Sequence, residues 1–225
     1  MKWNVVINVS GGKDSTVAVL ETLSYFPKED IRLCWQDTGA EYLETEEQVK
    51  LVAKTFDLPL VILRSEGFDT LVRRKGFFPT PSYRQCTLYL KNHLFEKWVT
   101  SHRTELGDLM VVNGIRAEES QARANSPIIS PSRLSTKAMQ VVNFHPILAL
   151  KEQQVFDIIK AEGLPLHPCY EFSTRCSCWC CIFQRKEAVK EYARLHPELY
   201  EQVCLLEDEV QHKWKSKLAI NDLFK

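Results

Sequence analysis

The chain has 225 residues, with 29 Lys and Arg against 29 Asp and Glu and an apolar share of 44%. That length allows one well-cored domain with an appendage and excludes two full-sized ones, while the balanced charge gives no overall basic field to announce nucleic acid. No apolar stretch approaches the ~20 residues of a membrane helix, and the N-terminus lacks a charged-then-apolar leader, so a cytoplasmic protein without membrane attachment is expected.

In chain order, apolar runs of strand length alternate with helical patterns, which predicts an α/β domain with a parallel sheet. The first strand, Trp3–Val9, leads through Ser10-Gly11-Gly12-Lys13-Asp14-Ser15 into a helix over Ser15–Tyr25. A second strand, Ile31–Gln36, ends in Asp37-Thr38-Gly39 and precedes a helix over Leu43–Phe56. A third strand over Leu60–Leu63 is followed by a loop, Gly76–Ser82, and a helix over Thr87–His102. The fourth strand, Leu109–Asn113, ends in Gly114-Ile115-Arg116. After a second loop, Ala124–Thr136, come a strand over Val141–Phe144 and a helix over Lys151–Glu162. A helical pattern from Lys186 to about Lys217 follows, interrupted at His196-Pro197 because proline removes a helical donor. In open α/β sheets ligands sit at the carboxyl ends of strands. The ends of the first, second and fourth strands are therefore expected to meet at one crevice.

The first of those ends carries the sharpest signal. Two adjacent glycines, Gly11 and Gly12, let the backbone bend tightly and point its N–H groups at one place. The helix behind them adds unpaired N-terminal donors and the positive end of its dipole. Lys13 and the hydroxyls of Ser10, Ser15 and Thr16 complete a phosphate cradle. The Walker A spacing is absent, because it needs glycine where Ile7 stands and Ser or Thr where Asp14 stands. Arg116 and Arg123 lie two helical turns apart and share a face if Ala117–Arg123 is helical. Guanidinium groups suit bidentate hold of a phosphate, and Glu119 between them would fix a guanidinium or help bind Mg²⁺.

The form SGGKDS resembles the PP-loop of ATP pyrophosphatases, which bind ATP through its terminal phosphates and cleave between α and β. Asp37-Thr38-Gly39-Ala40-Glu41 resembles the second nucleotide-contacting segment of the phosphoadenosine phosphosulfate reductase-like branch of that family. Arg84-Gln85-Cys86-Thr87-Leu88-Tyr89-Leu90-Lys91 is similar to its R-x-C-T-x-x-L-K segment, and the run from Gly114 to Arg123 to its G-x-R-x-x-E-S-x-x-R segment. Phe144-His145-Pro146-Ile147 and Leu166-His167-Pro168-Cys169-Tyr170 are similar to its later H-P signposts.

Together these cover residues 3 to about 183. The resemblance implies an adenine nucleotide alpha hydrolase-like fold. This is an open, mainly parallel twisted sheet with helices on both faces, plus a Cys-rich loop and C-terminal helices. It implies a nucleotide-binding domain over 1–165, with a metal-binding segment and helical extension over 166–225 packed on it. ATP contacts would come from Ser10, Gly11, Gly12, Lys13, Asp14, Ser15, Asp37, Thr38, Gly114 and Arg116. Among these Lys13, Asp14 and Arg116 would be catalytic, with Asp14 a ligand or outer partner of Mg²⁺. Arg84, Lys91, Glu119 and Arg123 would hold the substrate.

Arg175-Cys176-Ser177-Cys178-Trp179-Cys180-Cys181-Ile182-Phe183 holds four cysteines, with Cys169 shortly before. Without a secretory leader, clustered cysteines point to metal or redox chemistry rather than a disulfide framework. Cys178-x-x-Cys181 has metal-ligand spacing, and four thiolates suit either structural Zn²⁺ or a [4Fe–4S] cluster. The segment resembles the family's R-x-x-C-x-x-C-I-F signature, whose pair binds an iron–sulfur cluster in many members. Cys86 matches a position used for that cluster in assimilatory sulfonucleotide reductases. The resemblance implies Cys86, Cys169, Cys178 and Cys181 as ligands of a [4Fe–4S] cluster, with Zn²⁺ the alternative metal. Cys176 competes for the fourth place and Cys180 is a further alternate. Cys34 and Cys204 read as small buried hydrophobes.

The reaction so implied is attack of a substrate oxygen on the α-phosphate of ATP, with loss of pyrophosphate, to prime that oxygen for sulfur transfer. A DNA phosphate in a phosphorothioation pathway is the lead substrate, by analogy with that pathway's pyrophosphatase component. The expected partners are a cysteine desulfurase or another sulfur donor, DNA, and other phosphorothioation proteins. Arg73, Arg74, Lys75, Arg133 and Lys137 are compatible with a phosphate backbone, and the tail helix leaves a homodimer open. Two other readings stand beside this one. The first is a thiol-dependent reductase of adenylyl sulfate or its 3′-phosphate, which needs a late mobile cysteine that Leu218–Lys225 does not contain. The second is a nucleotide-binding subunit without turnover.

Overall fold

Val5, Val6 and Ile7 are consecutive and all fully buried in β1 (Asn4–Asn8), in a computed structural model that describes residues 4–225. Neighbouring strand residues point to opposite faces, so the sheet is covered on both sides there. Trp3, expected to open this strand, lies outside the described residues. The other strands are β2 (Ile31–Asp37), β3 (Leu60–Arg64), β4 (Leu109–Asn113), β5 (Ile129–Pro131) and β6 (Val141–Phe144). They form one six-stranded sheet in the order β3-β2-β1-β4-β6-β5. β1 runs parallel to β2 and β4, β4 runs parallel to β6, and β5 is antiparallel at the edge. This is the mainly parallel open α/β sheet read from the sequence. Strand order reverses at β1, which makes its carboxyl end the switch point where such sheets bind ligands.

The α-helices are α1 (Lys13–Leu23), α2 (Thr45–Phe56), α3 (Phe68–Lys75), α4 (His93–Ser101), α5 (Arg103–Leu106), α6 (Gln121–Ala124), α7 (Glu152–Ala161), α8 (Lys186–Leu195) and α9 (Pro197–Val210). The chain divides into two compact units. One takes the chain up to Trp35, Leu43–Leu63 and Glu96–Pro168; the other takes Gln36–Tyr42, Arg64–Phe95 and Cys169–Lys225. The expected boundary at 165/166 divides the chain once, whereas these units interleave through Gln36–Tyr42 and Arg64–Phe95, two segments that carry no boundary signal in the sequence.

Each unit has its own core. In the first, Val5, Ile7, Leu33 and Val112 of the sheet pack against Val17, Val49, Val52, Val155 and Ile159 of α1, α2 and α7. In the second, Tyr42, Leu71, Leu90, Trp179, Tyr192, Leu206 and Trp214 pack together. Each fully buried side chain of this kind contributes about 1.5–3 kcal/mol.

Four departures from the sequence reading have physical causes. α3 was not foreseen, because its buried face is only Phe68, Leu71 and Val72 between flanking glycines, too short for a periodic signal. β5 lies in the expected loop Ala124–Thr136; it is three residues long, contains Pro131, and sits at the edge, where proline is tolerated. The condition for a shared face, a continuous helix over Ala117–Arg123, is not met. Ala117–Glu119 is a 3₁₀ turn, Ser120 is extended at φ −172, and Ser120 then caps α6, so Arg116 and Arg123 share no helical face. The long C-terminal pattern breaks at His196 as expected but stops at Val210, after which Gln211 at φ +51 turns the chain back.

Candidate nucleotide site and thiol cluster

In the first unit the bend after β1 is held by its own hydroxyls. Ser15 Oγ donates to the Gly12 carbonyl at 2.9 Å and Thr16 Oγ1 to the same oxygen at 3.2 Å. The Ser10 backbone N–H donates to Ser15 Oγ at 3.1 Å, and the Gly12 N–H to Ser10 Oγ at 3.4 Å. Gly11 adopts φ +76, which favours glycine, and Gly12 caps α1 without a side chain over the helix end. The hydroxyls read as phosphate ligands thus shape the turn. Thr45 Oγ1 and His167 Nε2 are 3.1 Å apart, and both residues border the space a Cβ at Gly11 would enter.

Gly114, just past β4, comes up against the first turn of α1, and Arg116 follows two residues later. Arg116 is buried and its Nε donates to Asp14 Oδ1 at 2.6 Å, while Nη1 donates to Glu118 Oε2 at 2.6 Å. Lys13 is also buried, with Nζ 3.1 Å from Asp14 Oδ2 and 3.0 Å from Glu152 Oε1. Asp14 therefore lies between the two cations assigned to the phosphates. Glu119 accepts from the Arg116 backbone N–H at 2.8 Å and pairs with Arg123. The Glu152 backbone N–H, with the Arg116 charge beside it, holds the Glu118 carboxyl below the usual range. Sequence reasoning assigned no role to Glu118 or Glu152. An acid in the first turn of α7 signals only helix entry, and nothing local ties it to Lys13.

In the second unit, Asp37 and Thr38 are tied into their own turn. Asp37 Oδ1 accepts from the Gly39 N–H at 2.9 Å and Oδ2 pairs with Arg64 at 2.5 Å. Thr38 donates through its N–H to Glu41 Oε2 at 3.0 Å and through Oγ1 to Glu41 Oε1 at 2.8 Å. Glu41, a residue the sequence offered only as a nucleotide contact, also faces Lys91 Nζ at 3.5 Å and the Cys178 thiol at 3.9 Å. Lys91 lies in a π-helical stretch, Thr87–Asn92, that follows Cys86; such turns are rare and occur often at functional sites. Arg84 is exposed.

Cys86, Cys178 and Cys181 influence one another electrostatically. Burial and then Cys181 push the Cys86 thiol up, and burial and then Glu41 push Cys178 well up, with Cys181 and Cys86 adding to it. Burial works against the Lys91 charge, but Cys178 and Glu41 outweigh it and hold the ammonium above its usual range. Cys169 and Cys176 have their Sγ atoms within 4.8 Å of one another. Both lie near Tyr42, whose hydroxyl accepts from Gln184 Nε2 at 2.7 Å. Cys86, Cys178 and Cys181 thus act on one another electrostatically, while the close approach of two sulfurs is between Cys169 and the alternate Cys176. Cys180 is buried, its carbonyl accepting from the Trp214 indole at 2.6 Å. Cys34 is buried on β2, and Cys204 lies on α9.

A model of the phosphoadenosine phosphosulfate reductase domain matches residues 4–184. An uncharacterized protein of Methanocaldococcus jannaschii is 29% identical over 202 residues, spanning 89% of this chain but 41% of its own length. The chain therefore spans less than half of that relative. The phosphoadenylyl-sulfate reductase of Candida auris, solved as a phosphate complex, superposes with a TM-score of 0.57 at 17% identity, over 80% of this chain and 84% of its own. The FMN adenylyltransferase of Candida glabrata, solved with FAD and inorganic pyrophosphate, gives a TM-score of 0.52 at 14% identity, over 76% and 52%. At such identities these two structures share the fold. Among the described residues, no helix is long and apolar enough to cross a membrane.

Proposed function

The chain belongs to the phosphoadenosine phosphosulfate reductase domain family, and on that premise we propose that it is an ATP pyrophosphatase that adenylates a substrate oxygen for sulfur transfer. The observation that carries this reading is the bend over Ser10–Ser15 at the switch point, with Lys13 and Arg116 buried beside it. A triphosphate bound there meets backbone N–H groups and the positive end of α1. The substrate oxygen forms a bond to the α-phosphorus, the bond to the bridging oxygen breaks, and its electron pair leaves on pyrophosphate. Lys13 and Arg116 stabilise the charge growing on that leaving group, and Asp14 holds both cations in place. One such preorganised donor is worth about 3–4 kcal/mol.

Bound Mg²⁺ would supply further neutralisation of the phosphates. Both Asp14 oxygens already face a cation, so Asp14 would serve that ion as an outer partner rather than as a direct ligand. Cys86, Cys178 and Cys181, with Cys169 or Cys176, are the residues that would hold a [4Fe–4S] cluster or zinc, and a set of soft thiolates suits either. A bound cluster would supply redox and sulfur-handling chemistry, whereas zinc would supply structure. The lead substrate is a DNA phosphate, with a cysteine desulfurase or another donor supplying persulfide sulfur and a thiol reductant supplying the two electrons that release it from the donor as it displaces AMP. Other phosphorothioation proteins would complete a cytoplasmic pathway.

Thiol-dependent reduction of adenylyl sulfate or its 3′-phosphate is a second reading, favoured by the matched domain itself. The test is to incubate the anaerobically purified chain with Mg²⁺-ATP, with and without DNA, and assay AMP and pyrophosphate. Steady release supports the pyrophosphatase. Sulfite from a sulfonucleotide plus thioredoxin establishes the reductase, and tight ATP binding without products leaves a nucleotide-binding subunit. Failure to bind ATP at all overturns the reading.

A further inference from the structure

The two cations beside the Ser10–Ser15 bend are already paired with carboxylates. Lys13 and Arg116 bring two positive charges, while Asp14, Glu118 and Glu152 bring three negative ones within ion-pair reach of them. Lys13 already carries two carboxylates, so an incoming polyphosphate competes with them for its ammonium. The two candidates are unequal. Asp14 is its sequence neighbour, is anchored a second time by Arg116 at 2.6 Å, and has a side chain 20% exposed. Glu152 has a weaker second contact, 3.9 Å from Arg116 Nη2, and its side chain is 48% exposed.

The backbone of Glu152, by contrast, is fixed. Its N–H donates to Glu118 Oε2 at 2.8 Å, and Gln154 Oε1 accepts from the preceding Lys151 N–H at 2.8 Å. One turn along α7, the Phe156 ring lies 5.3 Å from Lys13 Nζ, so the ammonium keeps an apolar backstop when its carboxylate partner leaves. A carboxylate on a fixed backbone, reaching a buried ammonium from the solvent side, is built to be exchanged for another anion.

We propose that Glu152 is a positioning residue that occupies the polyphosphate's place on Lys13 and competes with product pyrophosphate for it. This rests on the reading of the site as one that binds ATP and releases pyrophosphate. Glu152 keeps the ammonium in position without ligand, yields it to the triphosphate, and takes it back as pyrophosphate departs. Its negative charge therefore weakens ground-state hold of product and speeds turnover.

The test is titration of the full chain with inorganic pyrophosphate and with Mg²⁺-ATP, in wild type, Glu152→Gln and Glu152→Asp. A unit charge several ångströms from the ligand, partly screened, changes affinity by roughly ten-fold. Glu152→Gln is expected to bind pyrophosphate about ten-fold tighter, with KM and kcat both lowered, and the difference shrinking at high salt. Glu152→Asp keeps the charge but withdraws it by one methylene, and is expected to tighten binding in the same direction by less. A Glu152 that served only the fold would act with opposite sign, weakening binding and lowering the melting temperature. Pyrophosphate affinity unchanged or weakened in both variants, with wild type binding ATP, overturns the role of Glu152. A wild-type chain that binds neither ligand overturns the ATP reading beneath it.

Discussion

Gly114 has no room for a side chain because Asp14 lies against it. A Cβ built at Gly114 would stand 2.7 Å from the Asp14 carbonyl oxygen and 2.9 Å from Ser15 Cα. Both obstacles are backbone at the start of α1, so neither can swing aside. The same closeness lets Arg116, two residues on, reach the Asp14 carboxylate at 2.6 Å. Gly114→Ala must part the end of β4 from the first turn of α1, at a cost of about 1–3 kcal/mol. We expect a matching fall in the denaturation midpoint and a larger proportional loss of ATP affinity, read by calorimetric titration. An alanine variant that binds ATP normally would show that this contact does not set the site.

Lys13→Ala removes the cation shared by Asp14 and Glu152. If Lys13 stabilises the leaving pyrophosphate, its loss lowers turnover by at least ~100-fold, as for other preorganised donors. Lys13→Met, which keeps the length of the stem against Phe156, separates the charge from the packing. Both variants are expected to lose pyrophosphate release, and near-normal turnover in either removes Lys13 from the mechanism.

The thiol group predicts which cysteines matter. Burial pushes Cys86 and Cys178 above the ordinary thiol range, so at neutral pH the metal-free chain keeps both protonated. Alkylation of the metal-free protein should therefore be slower at these positions than for a free thiol, and should speed up as pH rises. Metal loading forces them to thiolates, so protons are released and acid drives metal off. Anaerobic purification with metal and sulfide analysis should show loss of metal in Cys86→Ser, Cys178→Ser and Cys181→Ser. It should show no loss in Cys34→Ala or Cys204→Ser, and should tell whether Cys169 or Cys176 is the fourth ligand. A colourless, zinc-containing protein would exclude the iron–sulfur reading.

The sheet was legible because each central strand is a short apolar run and each helix behind it is amphipathic; β4 and β6 occupy the spans read from sequence. The bend at Ser10–Ser15 was legible because its chemistry is local. What stayed hidden is nonlocal or too short to be periodic. Lys13 and Glu152 are far apart in the chain, and their meeting depends on how α1 and α7 pack. Glu41 reads from the sequence only as part of a nucleotide-contacting segment, yet it holds Thr38 and faces Lys91 and Cys178. The Cys176–Cys169 proximity was open for the same reason, since a loop with four cysteines in six positions does not reveal which sulfurs turn toward a distant partner.

Glu207 supplies the last prediction, in the second unit. It is a buried carboxylate on α9, and the chain beyond Gln211 folds back over it. Its Oε1 accepts from the backbone N–H groups of Trp214 at 2.5 Å and Ile220 at 2.9 Å, and Oε2 accepts from Asn221 N–H at 3.3 Å. Trp214, so placed, donates its indole N–H to the Cys180 carbonyl. Truncation by Glu207→Ala would leave two buried backbone donors without acceptors, each costing about 1–3 kcal/mol. Glu207→Gln keeps an acceptor oxygen but loses the charge assistance, and should cost less. We expect a lower urea midpoint in the order wild type, Gln, Ala, with hydrogen exchange accelerating first at the Trp214 and Ile220 amides. Equal midpoints in all three would mean that water, not Glu207, satisfies those amides, and that Trp214 is held against the cysteine segment by packing alone.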